Sequence, residues 1–344
     1  MICSINPSEN KEWLDYISQQ QEATIFHHPA WLSVLHEQYR FDVFALCAVN
    51  EKGTINAGIP FCSTRSFIGK EKWISLPFSD HCVPLYNNTN SLNEIMEHIM
   101  LSQKANRISE VEIRAELPIP NSFAKDTTST LHITPLSKDI NKIFSTFKKT
   151  QVQQPILKAA REGLKAVVTN EQSAVGQFYG LHLQTRRRLG VPVQPRKFFD
   201  VFWEHIIKVN LGFIVLVFAD SRCISAGLFS GFSRTLTYKY GASDETMFRL
   251  RPNNLMIWTA MQEAVKRGFD FFDFGKTDIH NDGLRNFKSG WGSKETPLSY
   301  SFFPVLPKSG IIPFVKDNVV GPIIRHLPTF VCRWSGELLY KYFA

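Results

Sequence analysis

The sequence predicts an α/β (α+β) protein with two similar domains, each a mixed sheet flanked by helices, followed by a helical tail. Three observations support this prediction: a length of 344 residues, an apolar strand–turn–strand pattern that recurs in the second half, and a C-terminal segment rich in apolar and basic residues. A chain of this length can bury more than one core, so two domains are expected. We predict domains at 1–150 and 151–305, and the tail at 306–344.

Composition narrows the class of protein. Hydrophobic residues make up 44% and charged residues 20% of the chain, as in ordinary folded proteins. The net charge of +8 suits phosphorylated ligands, RNA or an anionic membrane surface, and equally plain solubility. The six cysteines stand singly, so neither a zinc site nor a disulfide framework is indicated, and no metal is expected. The chain lacks a signal-peptide pattern and any bilayer-length apolar run, which predicts a cytoplasmic protein.

The first half is predicted to contain two short helices, a β-hairpin, a strand that runs into a loop, a longer helix and a further strand. The helices follow from apolar residues at helical spacing, and the hairpin from two apolar runs on either side of a turn that contains Gly53. The predicted ranges are, in order, 10–20, 29–39, 41–49, 55–61, 73–80, 91–105 and 111–114.

The second half repeats this plan. The run 224–228, ISAGL, follows a strand and a turn in the same way as 55–59, INAGI, and the pair Ser79-Asp80 has a counterpart in Ser243-Asp244. A repeat near half the chain length indicates a duplicated domain, with chance similarity between two hairpins as the alternative. A helix at 156–163 lies between the halves, and the second half is then predicted to follow the order of two helices, three strands, a helix and a strand. The helices of the second half are assigned to 172–188, 195–210 and 256–267, and three of its four strands to 213–219, 224–229 and 269–274.

One stretch, 271–291, concentrates residues that could carry chemistry. A short aromatic strand ends in Gly275-Lys276, and a polar turn leads to Arg285 and Lys288, which lie beside aromatic residues. Cations among glycines just past a strand end suit an anionic ligand or a developing oxyanion, although either lysine alone could be an ordinary surface residue.

A second basic cluster, 186–188, ends a predicted helix. Arginine binds two phosphate oxygens at once through its planar guanidinium group, and the alternative is a solvated helix end. The sequence contains no Ser-His-acid order, Walker loop or HExxH pattern. Direct transfer between two bound substrates therefore remains, in which positioning and electrostatics supply the rate.

Several motifs occur in both halves of the chain in the order that is typical of one protein family. YGLHLQTRRRLGVPVQPRKFF, YKYGASD, RPNNLMIWTAMQEA, FDFGKT and GLRNFKSGWG, with FHHPAW and SLPFSDHCVPLY before them, resemble the FemA/FemB/FemX-like (FemAB) branch of the GNAT acyltransferase superfamily, of the polysaccharide- or envelope-associated type. The resemblance covers most of the chain, from about residue 20 to residue 305. It implies two tandem GNAT-like (acyl-CoA N-acyltransferase) domains with a cleft between them.

The resemblance also implies roles for particular residues. Lys288, in the F-K-x-x-W segment, would assist the reaction, and Asp244 is a candidate for proton removal. The residues that would contact phosphate or acceptor, or line the cleft, are Arg186, Arg187, Lys276, Arg285, Tyr238 and Tyr240.

The implied substrates are only partly defined. The acceptor would be an amino group on a phosphorylated or lipid-linked cell-envelope glycan or peptidoglycan precursor. The donor would be acyl-CoA or aminoacyl-tRNA, used as a co-substrate with no tightly bound cofactor. The coiled-coil arm of tRNA-dependent relatives is not visible, and Arg187 to Pro192 match only the first half of the CoA pyrophosphate loop, so both donors stay open.

Two alternatives accompany this reading. A catalytically inactive GNAT-like module that assembles a polysaccharide-synthesis complex would share the same motifs. An RNA-binding protein is a poorer fit, because the basic clusters lack interleaved aromatic residues. The tail at 310–344 could contact the inner membrane peripherally or pack on the protein as a pair of helices.

Overall fold

The computed structural model describes residues 1–65, 71–105, 108–118, 123–306, 321–326, 333 and 340. The strands are β1 (Ile2–Ile5), β2 (Asp42–Val49), β3 (Ile55–Arg65), β4 (Glu71–Ile74), β5 (Leu85–Tyr86), β6 (Glu110–Ile113), β7 (Ala124–Pro135), β8 (Lys165–Thr169), β9 (Gly212–Ala219), β10 (Arg222–Phe232), β11 (Thr235–Ser243), β12 (Phe271–Asp278) and β13 (Lys294–Phe303). The α-helices are α1 (Lys11–Ser18), α2 (Pro29–Tyr39), α3 (Thr89–Lys104), α4 (Ile140–Thr146), α5 (Gln154–Arg161), α6 (Ser173–Leu189), α7 (Arg196–Phe202), α8 (Pro252–Lys266), α9 (Asp282–Ser289) and α10 (Gly321–His326).

The two halves have the same topology and exchange their last strands. In the first half β1, β2, β3 and β4 are antiparallel neighbours, and β4 pairs in parallel with β6 after helix α3. In the second half β8, β9, β10 and β11 repeat this order, and β11 pairs in parallel with β12 after helix α8. Strand β7 then adds to β12, β13 adds to β6, and β7 pairs with β13 at the centre. The duplication predicted from the sequence is confirmed.

One sheet therefore runs through both halves, in the order β1-β2-β3-β4-β6-β13-β7-β12-β11-β10-β9-β8, with β5 beside β3. A shared hydrophobic core reinforces the connection, because Trp31 and Leu35 of α2 pack with Phe178 of α6 and Phe198 of α7. Burying such side chains stabilises the fold by about 1.5–3 kcal/mol each. The domain boundaries at 150 and 305 stay predictions.

The predicted strand that runs into a loop at 73–80 is confirmed, because β4 ends at Ile74. Leu76 and Phe78, on either side of Pro77, have φ angles of 65° and 61°, which no β-strand can continue. The chain therefore forms a tight loop that leads to Asp80. The predicted strand at 269–274 is wrong at its end, because β12 continues to Asp278 through a β-bulge.

The predicted tail lies mostly outside the described residues. Of its described parts, α10 packs near α6, and the buried Tyr340 ring lies 5.3 Å from Phe78 and 6.5 Å from Tyr39. These contacts show packing on the protein at Tyr340, and contact of 310–344 with a membrane stays a prediction. Within the described ranges, no helix combines the length and the apolar character needed to cross a bilayer.

Candidate active site

Strands β11 and β12 run side by side for a short distance and then separate. Their parallel pairing extends only from Thr235 opposite Phe271 to Thr237 opposite Asp273. Beyond this point β11 stays with β10, and β12 stays with β7. The separation opens a gap at the carboxyl ends of two parallel strands, which is the usual place for ligands in α/β folds.

The loop 79–81 from the first half enters this gap. His81 Nε2 lies 2.9 Å from Asp273 Oδ2 on β12, and Asp80 Oδ2 lies 3.6 Å from Lys239 Nζ on β11. The Tyr300 hydroxyl on β13 donates to the main-chain oxygen of Asp80 at 2.5 Å. Burial disfavours the imidazolium form, but the hydrogen bond and charge of Asp273 outweigh it and raise the pKa of His81. The loop thus holds a carboxylate, 27% exposed, between the separated strands.

The Asp80 carboxylate lies so close to the backbone at position 275 that only glycine fits there. Its φ angle is +72°, and a Cβ atom there would lie 2.6 Å from Asp80 Oδ2. We expect Gly275→Ala to displace the Asp80 carboxylate and to add about 1–2 kcal/mol of backbone strain. The rate of group transfer should therefore fall more than thermal stability alone explains.

The matched control is Gly283→Ala in α9, where an added Cβ would have its nearest neighbouring atom 3.9 Å away and φ is not positive. Transfer rates and melting temperatures of both variants are to be compared with the wild type. Equal transfer rates for Gly275→Ala and the wild type would show that the position of Asp80 does not matter.

The Lys288 side chain extends from helix α9 to β12 and stabilises the β-bulge of that strand by hydrogen bonds. The bulge lies between Asp273 and Lys276, opposite His132 of β7, so carbonyl groups leave the regular ladder. The Lys288 ammonium donates to the carbonyl oxygens of Gly275 at 2.9 Å and Lys276 at 3.0 Å. Burial lowers the pKa of Lys288 to about 8, against the charges of Asp80 and Asp273, which raise it. The residue predicted to assist the reaction therefore also holds the strand in shape.

Lys276 and Arg114 both lie near the ring of Tyr300. The Lys276 Nζ atom is 4.2 Å from the centre of the Tyr300 ring, and Arg114 Cζ is 5.7 Å from it. Burial and then the charge of Arg114 lower the pKa of Lys276. Arg114 is held by Glu112 at 2.7 Å and by the Ser79 carbonyl at 2.7 Å. Arg114 of the first half is thus a second cation near Lys276, the residue that was predicted to contact the acceptor.

The arginine cluster lies at a separate pocket past the end of β11. Arg187, Arg188, Asp244 and Arg325 are among the lining residues of this pocket, whose volume is about 410 Å³. Asp244 accepts a hydrogen bond from the Thr246 amide at 3.0 Å and pairs with Arg222. Among the described residues, no contact joins Asp244 to Lys288.

The remaining predicted site residues have structural partners. Arg186 Nε donates to the Pro192 carbonyl at 2.9 Å, and Arg285 Nε donates to Glu295 at 2.8 Å. The Tyr238 ring stacks on Phe229 at 5.1 Å in the core, whereas Tyr240 lies beside Lys239 at the gap. Of the candidates named from the sequence, the structure brings Lys276, Lys288 and Tyr240 to the gap.

Some of the described residues at the gap were not predicted to be site residues from the sequence. They are Asp80, His81, Arg114, Lys239 and Asp273. A signal for one of them was present, because the repeat aligned Ser79-Asp80 with Ser243-Asp244, and only the second aspartate was chosen. The pairing of the loop 79–81 with β12 joins residues 192 positions apart, which no local pattern reveals.

Comparisons with known proteins show the same fold. Residues 148–289 match the family model described as an acetyltransferase (GNAT) domain. The FemX crystal structure superimposes with a TM-score of 0.70 at 14% identity, covering 88% of this chain and 96% of that chain. The C-terminal domain of a putative lysylphosphatidylglycerol synthetase from Agrobacterium fabrum gives 0.55 at 14% identity, covering 85% and 90%. A tandem GNAT protein from the clavulanic acid biosynthesis pathway gives 0.51 at 8% identity, covering 88% and 98%. No curated protein sequence matches the chain.

Proposed function

Because the chain has the tandem GNAT fold, resembles FemX in structure and contains a GNAT acetyltransferase domain in its second half, we propose that it is an N-acyltransferase. It would transfer an acyl or aminoacyl group to an amino group and form an amide. The observation that carries this proposal is the gap between β11 and β12, in which the Asp80 carboxylate lies 3.6 Å from the Lys239 ammonium group.

The geometry supports direct transfer. The acceptor amine enters the gap beside Asp80, which takes its proton, and the amine nitrogen attacks the carbonyl carbon of the donor. The new C–N bond forms, the bond to the leaving thiol or hydroxyl breaks, and the leaving group takes up a proton. Lys288, whose charge acts on the gap from the bulge of β12, stabilises the negative charge that develops. Positioning of the two substrates supplies the rest of the rate.

The donor is proposed to extend along β11 towards the arginine pocket. Arg187 and Arg188 there suit the phosphate groups that both acyl-CoA and the end of an aminoacyl-tRNA carry. Asp244 lies in the same pocket and is retained as a second candidate for proton removal.

The acceptor is proposed to be a phosphorylated cell-envelope glycan or peptidoglycan precursor. Lys276 and Arg114, one from each half of the chain, would hold its anionic part beside the gap, since both cations lie near the Tyr300 ring. Similarity to FemX and to a putative lysylphosphatidylglycerol synthetase supports an envelope component with an anionic group.

The test is a matrix of two donors against several acceptors. Radiolabelled acetyl-CoA and charged tRNA are each incubated with the protein and an amino-sugar nucleotide, a peptidoglycan precursor or an aminated phospholipid. We expect an amide product, detected by mass spectrometry, with one donor class. Binding of an acceptor by calorimetry, with neither donor bound nor turned over, would contradict the proposal and favour the assembly module.

A further inference from the structure

A second β-bulge faces the gap, this time on β11, and it carries Lys239. In the pairing of β10 with β11, Leu228 lies opposite Tyr240 and Phe229 lies opposite Tyr238, so Lys239 is the extra residue. Bulges re-aim side chains and occur often beside active sites. Here the bulge turns the Lys239 side chain towards Asp80, across the space that separates β11 from β12.

Three aromatic rings hold the Lys239 ammonium group in place. Its Nζ atom lies 5.3 Å from the ring centre of Phe26, 5.6 Å from Trp31 and 5.3 Å from Tyr240. Only 6% of the side chain is exposed. Aromatic faces attract cations, and more strongly where water is excluded. Phe26 and Trp31 come from the first half, so this aromatic cage is complete only when both halves are assembled.

Lys239 and Lys288, both at the gap, differ in how their donors are used. Two N–H groups of Lys288 are taken by the carbonyl oxygens of Gly275 and Lys276. Lys239 has the Asp80 carboxylate as its ion-pair partner among the described residues, at 3.6 Å, and the aromatic faces accept no hydrogen bond of ordinary strength from it. Lys239 therefore has more N–H donors left for a ligand oxygen in the gap than Lys288 has.

We propose that Lys239, preorganised by its aromatic cage, is the catalytic residue that binds the carbonyl oxygen of the donor and stabilises the oxyanion during transfer. This inference rests on the proposed acyl transfer and names a residue that neither the sequence motifs nor the comparisons assign.

The spacing of Asp80 and Lys239 fits one tetrahedral centre. In the intermediate, the attacking nitrogen and the oxyanion are bonded to the same carbon atom, so a base and a cation only a few ångströms apart can each contact one of them. The amine proton passes to Asp80, and the carbonyl π electrons move to the oxygen, which Lys239 holds. When the C=O bond re-forms, the leaving thiolate or alkoxide is expelled and takes up the proton that Asp80 received, which regenerates the carboxylate. Fixed charges of this kind act strongly because they need no reorganisation.

The first test needs no activity. Lys239→Ala empties the cage, and methylammonium chloride is the probe, with sodium chloride at equal ionic strength as its control. We expect methylammonium to raise the melting temperature of Lys239→Ala, because the vacated cage binds a small cation. Lys239→Met, which fills the cage with an uncharged chain, should not respond. Equal responses of both variants would overturn the cation site.

The second test measures catalysis. Lys239→Ala and Lys239→Met should each lower kcat and kcat/KM together by about 10²–10³-fold, as expected when a group that binds the oxyanion is removed. Methylammonium should restore part of the rate in Lys239→Ala and none in Lys239→Met. Unchanged kcat in Lys239→Met, or no rescue of Lys239→Ala by a cation that it binds, would overturn the catalytic role. Failure of the wild type to turn over any donor would instead refute the proposed function and leave the first test standing.

Discussion

Replacing Asp80 by Asn is expected to lower kcat for transfer by about 10²–10⁴-fold, the range typical of a lost general base. The amide keeps the size of the carboxylate and its approach to Gly275, so the loop 79–81 should keep its shape. What disappears is the negative charge that receives the acceptor's ammonium group and takes its proton. The measurement is kcat and KM for the acceptor, with circular dichroism to confirm the fold.

The control for this variant is Asp278→Asn. Asp278 is an exposed carboxylate at the end of β12, and it accepts a hydrogen bond from the His280 amide at 2.8 Å. We expect it to transfer at the wild-type rate. If Asp80→Asn matched that rate, Asp80 could not be the proton acceptor, and Asp244 would become the residue to test.

Replacing Lys288 by Met is expected to lower transfer by about 10²-fold or more, because a cation beside the developing charge is lost. It should also lower the free energy of unfolding. The carbonyl groups of Gly275 and Lys276 lose their donor, which costs about 1–3 kcal/mol for each buried group left unpaired, less the desolvation of the ammonium group that is no longer buried. We therefore expect Lys288 to act both on the reaction, as the sequence predicted, and on the shape of β12, which the sequence did not predict.

The pH dependence separates these two effects. Burial lowers the pKa of Lys288 from its ordinary value of 10.5 to about 8 in the folded protein. Transfer that needs the charged form should therefore fall as pH rises through about 8. Between the two pKa values the unfolded chain binds more protons than the folded one, so this residue makes stability rise with pH in that window. Activity and stability should move in opposite directions, and both trends should weaken in Lys288→Met, where burial still lowers the pKa of Lys276 and Lys239.

Lys294→Met is the matched control, since Lys294 is an exposed lysine at the start of β13. It should leave rate, stability and pH profile unchanged. A wild-type pH–rate profile in Lys288→Met, with the unfolding free energy lowered, would assign Lys288 a structural role alone and leave Lys239 as the cation at the gap.

Much of the architecture could be read from local patterns. The recurrence of INAGI as ISAGL predicted a duplication, and the structure shows β2–β3 and β9–β10 as matching hairpins. Helical periodicity placed Trp13 and Ile17 on the buried face of α1. The exchange of β7 and β13 between the halves was not predictable, because pairing between distant strands leaves no periodic signal in either one.

The candidate site divides in the same way. Lys276 and Lys288 were found because they stand among glycines and aromatic residues within one short stretch, and the structure places both at the gap. Asp80 and Lys239 had no such local context. The position of Asp80 depends on the left-handed backbone of Leu76 and Phe78, which turns the loop before it. The direction of the Lys239 side chain depends on the one-residue bulge of β11 opposite β10.

The sequence by itself therefore determined the fold class, the duplication and the stretch 271–291 as a place of chemistry, since these follow from spacing and residue type. Only the tertiary structure decided which groups face one another. The Asp80 carboxylate of the first half lies 3.6 Å from the Lys239 ammonium group of the second half. The two groups meet because β11 and β12 separate, and the loop 79–81 of the first half enters the gap between them. Bulges in β11 and β12 redirect the side chains of these strands at the same place. Such contacts depend on backbone geometry at distant positions, and that geometry is set by packing of the whole chain.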